Sequence, residues 1–458
     1  MRRSVIALAV LTLAFCPAGC SFLRRSRPPK PPPAPLFEAR TATLAITAGL
    51  SVLANIALPP GFAPAVGYPP MWLQHGMEIG IAGEVEGKTV ILGFTGPNLA
   101  HRRVLAEDFG TAAAGGIIVD VAASPDGTSL ATAVSQPQNN CIVVFLRDLP
   151  SPSDTEAHAL FSVDGSFTLV HLTWLDSATL GLVLRATAPN TEPNAEPGAT
   201  GSVASDALDG LYVIDLAKPG PPQRFRQPGC ALSRLSWSPN GRVAVAQGDV
   251  QVPVALLDRA ARTCQRLNIA TPIKVLGWSP DSTAFIYTAP NAEARSVGIF
   301  RYEPATAAGT LVAVSSSAAA YASDGAIIAV VNRELSWRRV AAQPQAKVRV
   351  EIAAFDPRRS EVRLNSLGFE TSAPSLARSS MVFSGASNNA VIDAYLPAVA
   401  APIRELIEYS YPAQSAFVLA RGPAQGPVMM SWSPDGHMLA IVDGDARAST
   451  LTLLVPPR

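Results

Sequence analysis

Residue types that commonly carry out catalysis or bind metals are sparse in this sequence, and their spacing matches no common arrangement. No two histidines lie within four residues of each other, so a paired-histidine metal site is not indicated. The sequence contains neither the Gly-x-Ser-x-Gly elbow of α/β-hydrolases nor a Cys-x-x-Cys pair. The histidines are His75, His101, His158, His171 and His437. We therefore predict no catalytic residues, no metal and no cofactor.

Aspartate recurs in one local context, a Ser-Pro-Asp or Ser-Pro-Asn turn that usually ends in glycine. The clear copies are residues 121–127, 235–241, 276–282 and 430–436, and the last three have a tryptophan before the serine. The carboxylates of Asp126, Asp281 and Asp435 could act as acids or ligands. Proline fixes φ and glycine accepts a positive φ, so the same residues suit a tight turn. We interpret these aspartates as turn-forming residues of a structural repeat.

The repeat extends along most of the chain. Its tryptophan position falls at residues 72, 123, 174, 237, 278, 321, 376 and 432, in steps of 41 to 63 residues. Apolar and alternating strands follow each copy, which predicts a sheet of about four antiparallel strands per unit. One such sheet buries too little surface to be stable alone, so the sheets stack and close into a ring. The tryptophans predicted to fill the space between sheets are Trp72, Trp174, Trp237, Trp278 and Trp432.

These units predict an all-β fold, a β-propeller of about eight four-stranded blades. Seven blades is the alternative if the first or the seventh unit is not a full blade. Apolar residues make up 48% of the chain and charged residues 16%, which provides for a large core and excludes disorder for most of it.

The Trp-Ser-Pro-Asp-Gly turn followed by an apolar strand resembles the TolB-type (WD40-like) β-propeller repeat over residues 70–458. This resemblance implies a propeller that acts as a scaffold, as a partner-binding platform or as an appendage to a peptidase. The separate α/β domain of TolB has no evident counterpart here, so the resemblance does not extend to the specific partner of TolB.

The amino terminus has the layout of a secretory signal. Arg2 and Arg3 precede an uncharged apolar run at 5–15, which is too short to span a bilayer comfortably. The ending Ala18-Gly19-Cys20 resembles the lipobox of bacterial lipoproteins, although Pro17 stands where that family usually has an aliphatic residue. We predict a signal peptide at 1–19 and acylation of Cys20. An ordinary secretory signal cut near Gly19 is the alternative.

Residues 20–40 are predicted to form a basic, proline-rich tether to the membrane. Prolines favour an extended polyproline II spacer, and each cation near anionic lipid headgroups adds on the order of 1 kcal/mol of attraction. Ser21 resembles the residue after the cysteine in outer-membrane lipoproteins, so we predict a lipid anchor in the outer membrane facing the periplasm. The cations at 20–35 are Arg24, Arg25, Arg27 and Lys30.

The propeller is predicted at 41–458, with 41–58 supplying a strand that closes the last blade. The last unit ends too soon after residues 451–454 to complete four strands, and propellers often close with a strand from the other terminus. Residues 41–60 are uncharged and approach the length of a membrane-spanning helix, which is the alternative.

Charge excludes nucleic acid as a partner. The formal net charge is +1, but six of the 36 basic residues precede residue 36 and no acidic residue does. The remaining body carries 30 basic and 35 acidic residues, which is not the balance of a DNA- or RNA-binding protein.

In an exported protein Cys230 and Cys264 have two alternatives, to pair as a disulfide or to remain buried thiols.

Two function classes remain. Propeller enzymes such as lyases or lactonase-like hydrolases need convergent polar groups on their inner strands. The predicted inner strands at 117–121, 233–236 and 274–277 contain only scattered charges. We therefore predict a non-catalytic scaffold that binds a protein, peptide or envelope polymer, with a propeller enzyme as the alternative.

The docking site is predicted on a rim of the propeller. Residues 332–347 form a long insert between the second and third strands of a unit, on the rim that carries the inter-blade connections. Trp337 stands outside the repeat positions, beside Arg338 and Arg339, and both residue types are enriched at binding hot spots. We predict that these three residues contact the partner. The alternative is that Trp337 packs on its own blade.

Overall fold

The computed structural model describes residues 39–43, 46–48, 51–108, 116–149, 157–187, 209–218, 220–225, 232–247, 253–269, 273–291, 296–313, 316, 318–340, 343–357, 361–371, 380–396, 403–423, 428–444 and 449–455. All of them belong to one compact unit, Pro35–Arg458.

The described chain is almost entirely β-structure, arranged as eight sheets of four main strands. The innermost strands are β5 (Met71–Leu73), β9 (Ile117–Ala123), β13 (Phe167–Asp176), β17 (Leu235–Trp237), β21 (Lys274–Trp278), β25 (Ala318–Tyr321), β29 (Ser380–Ser384) and β33 (Val428–Trp432). The second strands are β6 (Glu78–Val85), β10 (Ser129–Gln136), β14 (Thr179–Ala186), β18 (Val243–Ala246), β22 (Phe285–Asn291), β26 (Ile327–Val340), β30 (Asn389–Leu396) and β34 (Leu439–Gly444).

The third strands are β7 (Lys88–Thr95), β11 (Cys141–Asp148), β15 (Gly210–Asp215), β19 (Ala255–Asp258), β23 (Ser296–Glu303), β27 (Gln343–Asp356), β31 (Ile403–Ser410) and β35 (Ser449–Val455). The outer strands are β8 (His101–Glu107), β12 (His158–Asp164), β16 (Gln223–Phe225), β20 (Thr263–Arg266), β24 (Ala308–Ala313), β28 (Glu361–Thr371), β32 (Ser415–Pro423) and β3 (Ser51–Ala57). Outside this pattern lie β1 (Ala39–Thr43), β2 (Ile46–Ala48), β4 (Ala63–Pro64) and two 3-10 helices, Gln74–Gly76 and Pro97–Leu99.

This architecture is an eight-bladed β-propeller, and it confirms the predicted fold class. Strand β14 shows why the second strands are continuously apolar. Its Leu182 and Leu184 pack toward the second blade, while Val183 packs toward the fourth. Both faces of each sheet are buried by neighbouring blades, so alternation between apolar and polar residues is not required.

The amino-terminal segment of the fold runs along the outer edges of the last three blades. Strand β1 pairs in parallel with β28 of the sixth blade, and β2 pairs in parallel with β32 of the seventh. Strand β3 then pairs antiparallel with β35 and is the outer strand of the eighth blade. Each pairing covers an edge that would otherwise expose unpaired backbone groups. No helix in the described ranges is long and apolar enough to cross a membrane.

Two details differ from the sequence prediction. The seventh motif was expected at 376–380, but the inner strand β29 ends at Ser384, so Phe383 occupies the tryptophan position. Phe383 is followed by Ser384-Gly385, without the Trp and Pro that mark the clear copies. The insert at 332–347 was expected as a loop, yet β26 and β27 continue through it as a paired arm with Trp337 opposite Ala346. The backbone pairing of the two strands continues through the insert as far as Val340 opposite Gln343.

The cysteines of the described residues differ in state. Cys141 is a buried free thiol, whereas Cys264 is disulfide-bonded. The partner of Cys264 therefore lies outside the described residues, where the sequence analysis named Cys230.

Candidate functional site

The repeat aspartates are used by their own turns. In the second blade Asp126 Oδ1 accepts hydrogen bonds from Ser124 Oγ at 2.6 Å and from the Thr128 backbone N–H at 3.0 Å. The equivalent serine bonds reach Asp281 at 2.6 Å and Asp435 at 2.5 Å. The bond from Ser433 is the main reason that the pKa of Asp435 lies below its usual value. These carboxylates stabilise the turns through Oδ1, as expected for turn-forming residues of the repeat.

Glycine in the turn is required by both conformation and space. Gly127 has φ +69°, and a Cβ placed on it would lie 2.8 Å from the backbone oxygen of Trp72 in the first blade. The turn is held there by a 2.7 Å hydrogen bond from the Gln74 N–H to the Gly127 carbonyl. The glycine thus allows turns of neighbouring blades to touch.

We expect Gly127→Ala to lower the free energy of unfolding by about 2 kcal/mol, because it adds a steric clash to the cost of a positive φ. Gly87→Ala is the matched control, since Gly87 has φ +77° but its nearest neighbouring atom would be 3.9 Å from the new Cβ. Urea unfolding of both variants measures the difference. Equal losses in the two would show that the contact with Trp72 contributes nothing.

The motif tryptophans join neighbouring inner strands. Each indole N–H that is hydrogen-bonded donates to a backbone carbonyl of the preceding blade. The four bonds are Trp72 to Ser431 at 3.3 Å, Trp174 to Ala122 at 3.1 Å, Trp278 to Ser236 at 2.9 Å and Trp432 to Val382 at 3.3 Å. Trp237 occupies the same position, but its buried indole nitrogen has no hydrogen-bond partner among the described residues.

The other predicted site residues are placed as follows. Cys20 lies outside the described residues. Trp337, Arg338 and Arg339 lie in β26, in the arm beyond the point where β28 stops pairing with β27.

A group of polar residues lies on or directly beside the inner strands instead. Asp120, His171 and Lys274 lie in β9, β13 and β21, and Arg234 directly precedes β17. We call these four residues the polar arc. They belong to four consecutive blades, the second to the fifth. On the second strand of each blade, Asp120 pairs with Ala133, His171 with Val183 and Lys274 with Thr288. Each of these partners lies three residues beyond the residue that pairs with the motif position. The Arg234 carbonyl accepts a hydrogen bond from the Gln247 N–H at the same level. The shared register places all four at one height around the central channel of the propeller, which the inner strands line.

A β-bulge makes this alignment possible in the fifth blade. Lys274 stands four residues before Trp278, while the others stand three before their motif positions. The register of β21 shifts between Val275 and Gly277, and the extra residue brings Lys274 level with Arg234. A similar shift in β9 leaves Val119 as the extra residue beside Asp120. Bulges commonly redirect side chains next to functional sites.

Asp120 is the hub of the arc. Its Oδ1 accepts hydrogen bonds from Tyr68 Oη at 2.7 Å and the Val121 N–H at 3.0 Å. Its Oδ2 accepts hydrogen bonds from the Leu172 N–H at 2.7 Å and lies 3.0 Å from His171 Nδ1. Asp120 is 6% exposed, so the four bonds replace the water that the carboxylate has lost. The carboxylate therefore positions Tyr68 and His171 and is not free to hold a ligand.

Electrostatics fix the protonation of this hub. Burial is the largest influence on Asp120 and opposes ionisation, but the bonds from His171, Tyr68 and Leu172 outweigh it and hold the pKa below its usual value. An ionised carboxylate only accepts hydrogen bonds, so His171 donates from Nδ1. Its other ring nitrogen, Nε2, is not used in this contact. Burial, followed by the charge of Asp120, raises the pKa of Tyr68 well above its usual range, and the charge of Arg234 opposes this.

The two full cations of the arc are exposed. Neither Arg234 nor Lys274 forms a salt bridge within the part of the chain that the structure describes. The corresponding positions of the last three blades are small or uncharged, namely Ala318, Ser380 and Met429. At this level the second to fifth blades therefore carry titratable side chains, and the sixth to eighth blades do not.

This arrangement can bind an anion through His171 Nε2, Arg234 and Lys274, and its histidine has the orientation of a general base held by a carboxylate. The described residues include no group of three His, Cys, Asp or Glu side chains placed to hold a metal ion. The charges Asp120, Arg234 and Lys274 looked scattered in the sequence. Comparing the residue three positions before each motif would have aligned Asp120, His171 and Arg234, while the bulge conceals Lys274.

Comparisons with known proteins agree on the fold. No protein-family model matches the chain, and no curated protein matches its sequence. The Dos1 propeller is similar in structure with a TM-score of 0.54 at 11% identity, over 89% of this chain and 95% of that one. The WD40 domain of Sif2 gives a TM-score of 0.50 at 12% identity, over 90% and 100%.

TolB from Acinetobacter baumannii is also among the similar structures, with a TM-score of 0.33 at 12% identity, over 83% of this chain and 64% of that one. Enzyme propellers occur among them too, including a prolyl endopeptidase of which this chain covers 55%. At such identities the similarity shows the fold alone. The protein is an eight-bladed β-propeller, with WD40 propellers and TolB proteins among its structural neighbours.

Proposed function

We propose that the protein is a lipid-anchored, non-catalytic propeller that binds a protein, peptide or envelope polymer in the periplasm or at the cell surface. The observation that supports this best is the polar arc, where Arg234 and Lys274 are exposed, form no salt bridge with any residue that the structure describes, and stand level with His171. Exposed cations at one height in neighbouring blades suit the recognition of an anionic partner.

Binding explains the arc better than proton transfer does. Asp120 is ionised and fully hydrogen-bonded, and the Tyr68 hydroxyl keeps its proton because its pKa is raised. Arginine and lysine side chains form strong charge-assisted hydrogen bonds to anions. Of the four residue types in the arc, histidine is the one most often used as a general base.

The anchor is compatible with an accessible arc. The described chain begins at Ala39, next to β28 on the outer edge of the sixth blade. A tether from Cys20 would therefore reach the propeller at the outer edge of a blade. We expect Cys20→Ala to release the protein from the membrane fraction, as measured by fractionation and by loss of the acyl mass.

The test of the proposed function is capture from detergent-solubilised envelope by the tagged, full-length protein. We expect a partner that is retained by the wild type and lost from an Arg234→Ala/Lys274→Ala variant with an unchanged melting temperature. Arg242→Ala is the control, because Arg242 is in the same blade as Arg234 but follows the turn at the other end of β17. Equal capture by all three proteins would contradict the proposal.

The arm of the sixth blade is a second part of the proposed docking surface. We expect Trp337→Ala to weaken partner capture several-fold while leaving thermal unfolding nearly unchanged. Arg338→Ala and Arg339→Ala test the two neighbouring cations of the same arm. A large loss of stability in Trp337→Ala would instead show that this residue packs on its own blade.

A propeller enzyme is the second candidate, and the contact between His171 and Asp120 favours it. A histidine held through Nδ1 by an ionised carboxylate resembles the base of many hydrolases and lyases. Turnover in a lyase and lactonase screen that disappears in His171→Ala would reverse the ranking. Arg242→Ala should retain that turnover.

A further inference from the structure

We propose that the polar arc binds the carboxylate groups of an acidic peptide segment that also carries aliphatic side chains. This inference rests on the proposed function and names the class of ligand at the same site. It follows from three features of the inner strands: their cations, the saturated state of Asp120, and the aliphatic side chains beside them.

The cations provide the anion site. Arg234 and Lys274 are exposed at the same register level of adjacent blades, and β17 contacts β21. His171 lies at that level in the next blade, with 20% of its side chain exposed. Guanidinium and ammonium groups form strong charge-assisted hydrogen bonds to carboxylates, and Arg binds them in a bidentate manner.

The single acid of the arc does not occupy this site. Both oxygens of Asp120 are used by Tyr68, His171 and two backbone N–H groups. Its charge acts mainly on those donors, as the lowered pKa of Asp120 reflects. The exposed part of the arc therefore presents a net positive surface toward a ligand.

Aliphatic side chains favour a peptide over a polyanionic carbohydrate. Ile117 is 51% exposed and Val119 is 38% exposed, both on β9 beside Asp120. Exposed aliphatic residues on an inner strand gain free energy when an apolar side chain covers them. A peptide with alternating acidic and aliphatic residues can satisfy both surfaces, whereas a uronate polymer has no aliphatic side chains to cover Ile117 and Val119.

The test is fluorescence anisotropy of the full-length protein in detergent with a labelled Glu-Leu-Glu-Leu-Glu-Leu peptide at low salt. We expect Arg234→Ala and Lys274→Ala each to weaken binding about tenfold, the usual cost of losing a hydrogen bond to a charged group. Arg242→Ala and Lys218→Ala, which remove exposed cations elsewhere, should bind as the wild type does. Ile117→Ser should weaken binding of the peptide and leave binding of a ligand that carries only carboxylates unchanged.

Two comparison probes separate the outcomes. A Gln-Leu-Gln-Leu-Gln-Leu peptide should bind at least about tenfold more weakly, and an oligouronate of equal charge should bind more weakly than the Glu-Leu peptide. Tighter binding of the oligouronate, or equal binding of the neutral peptide, would overturn the peptide assignment. If Arg234→Ala and Lys274→Ala bind the peptide as tightly as the wild type, the polar arc is not its binding site. If the envelope partner is still captured in either case, the proposed function survives and only this inference fails.

Discussion

Replacing Arg103 by alanine is expected to lower the free energy of unfolding by about 3–5 kcal/mol, because it leaves the buried Glu78 carboxylate without its cation. Glu78 is fully buried in β6, where Arg103 Nε and Nη2 donate to its two oxygens at 2.8 Å and 2.7 Å. Gln74 adds a third hydrogen bond at 2.7 Å. The pair forms only because Gly93 lies between them: a Cβ there would be 2.2 Å from Glu78 Oε1.

Urea unfolding of Arg103→Ala, Glu78→Gln and the double variant measures this effect. The double variant should recover most of the loss, because a neutral amide is far less costly to bury than an unpaired carboxylate. Lys88→Ala is a control, since Lys88 is an exposed cation of the same blade. If the double variant is as unstable as Arg103→Ala, the loss comes from packing of the arginine stem and not from the stranded charge.

The sequence allowed the fold to be predicted because the fold is repeated. Four clear copies of one turn, such as Trp432-Ser433-Pro434-Asp435-Gly436, identify the start of each sheet and the role of its tryptophan. The chemistry of the turn is local, so it can be inferred from neighbouring residues alone. The seventh blade was misplaced where this local signal is missing, at Phe383.

Contacts between blades could not be predicted in the same way. Tyr68, Asp120 and His171 are about fifty residues apart in sequence and meet only because the first three blades pack side by side. The bulge in β21 changes the position of Lys274 by one residue, and no characteristic turn residue marks the bulge in the sequence. Register between sheets is set by packing over the whole ring, which a single sequence does not display.

The stability of the protein should depend on pH through one buried acid at the interface between the seventh and eighth blades. Glu408 lies in β31 and is 1% exposed, with Asn389 Nδ2 donating to its Oε1 at 2.7 Å. Its Oε2 has no hydrogen-bond partner within the residues that the structure describes. Burial raises the pKa of Glu408 to about 7, and the bond from Asn389 offsets this only in part. The folded state therefore holds this proton more tightly than the unfolded chain does.

The sign of the effect follows from linkage. Below pH about 4.5 the carboxyl is protonated in both states and costs nothing, while between that value and about 7 only the unfolded state ionises. Stability therefore falls as pH rises through this window, by on the order of 3 kcal/mol in total. The turn carboxylates Asp126 and Asp435 have lowered pKa values and act in the opposite direction, losing stability on acidification. A difference between matched variants separates the two trends.

We expect Glu408→Gln to stabilise the protein by about 2–3 kcal/mol at pH 8 and to leave it nearly unchanged at pH 4.5, because glutamine supplies the same shape without the charge that burial penalises. Urea unfolding across pH 4.5–8 measures the difference between variant and wild type. Glu107→Gln, an exposed glutamate of the outer strand β8, should show no such pH-dependent gain. A pH-independent difference for Glu408→Gln would mean that the carboxyl ionises in the folded protein without penalty, and that the interface between the seventh and eighth blades admits water at this point.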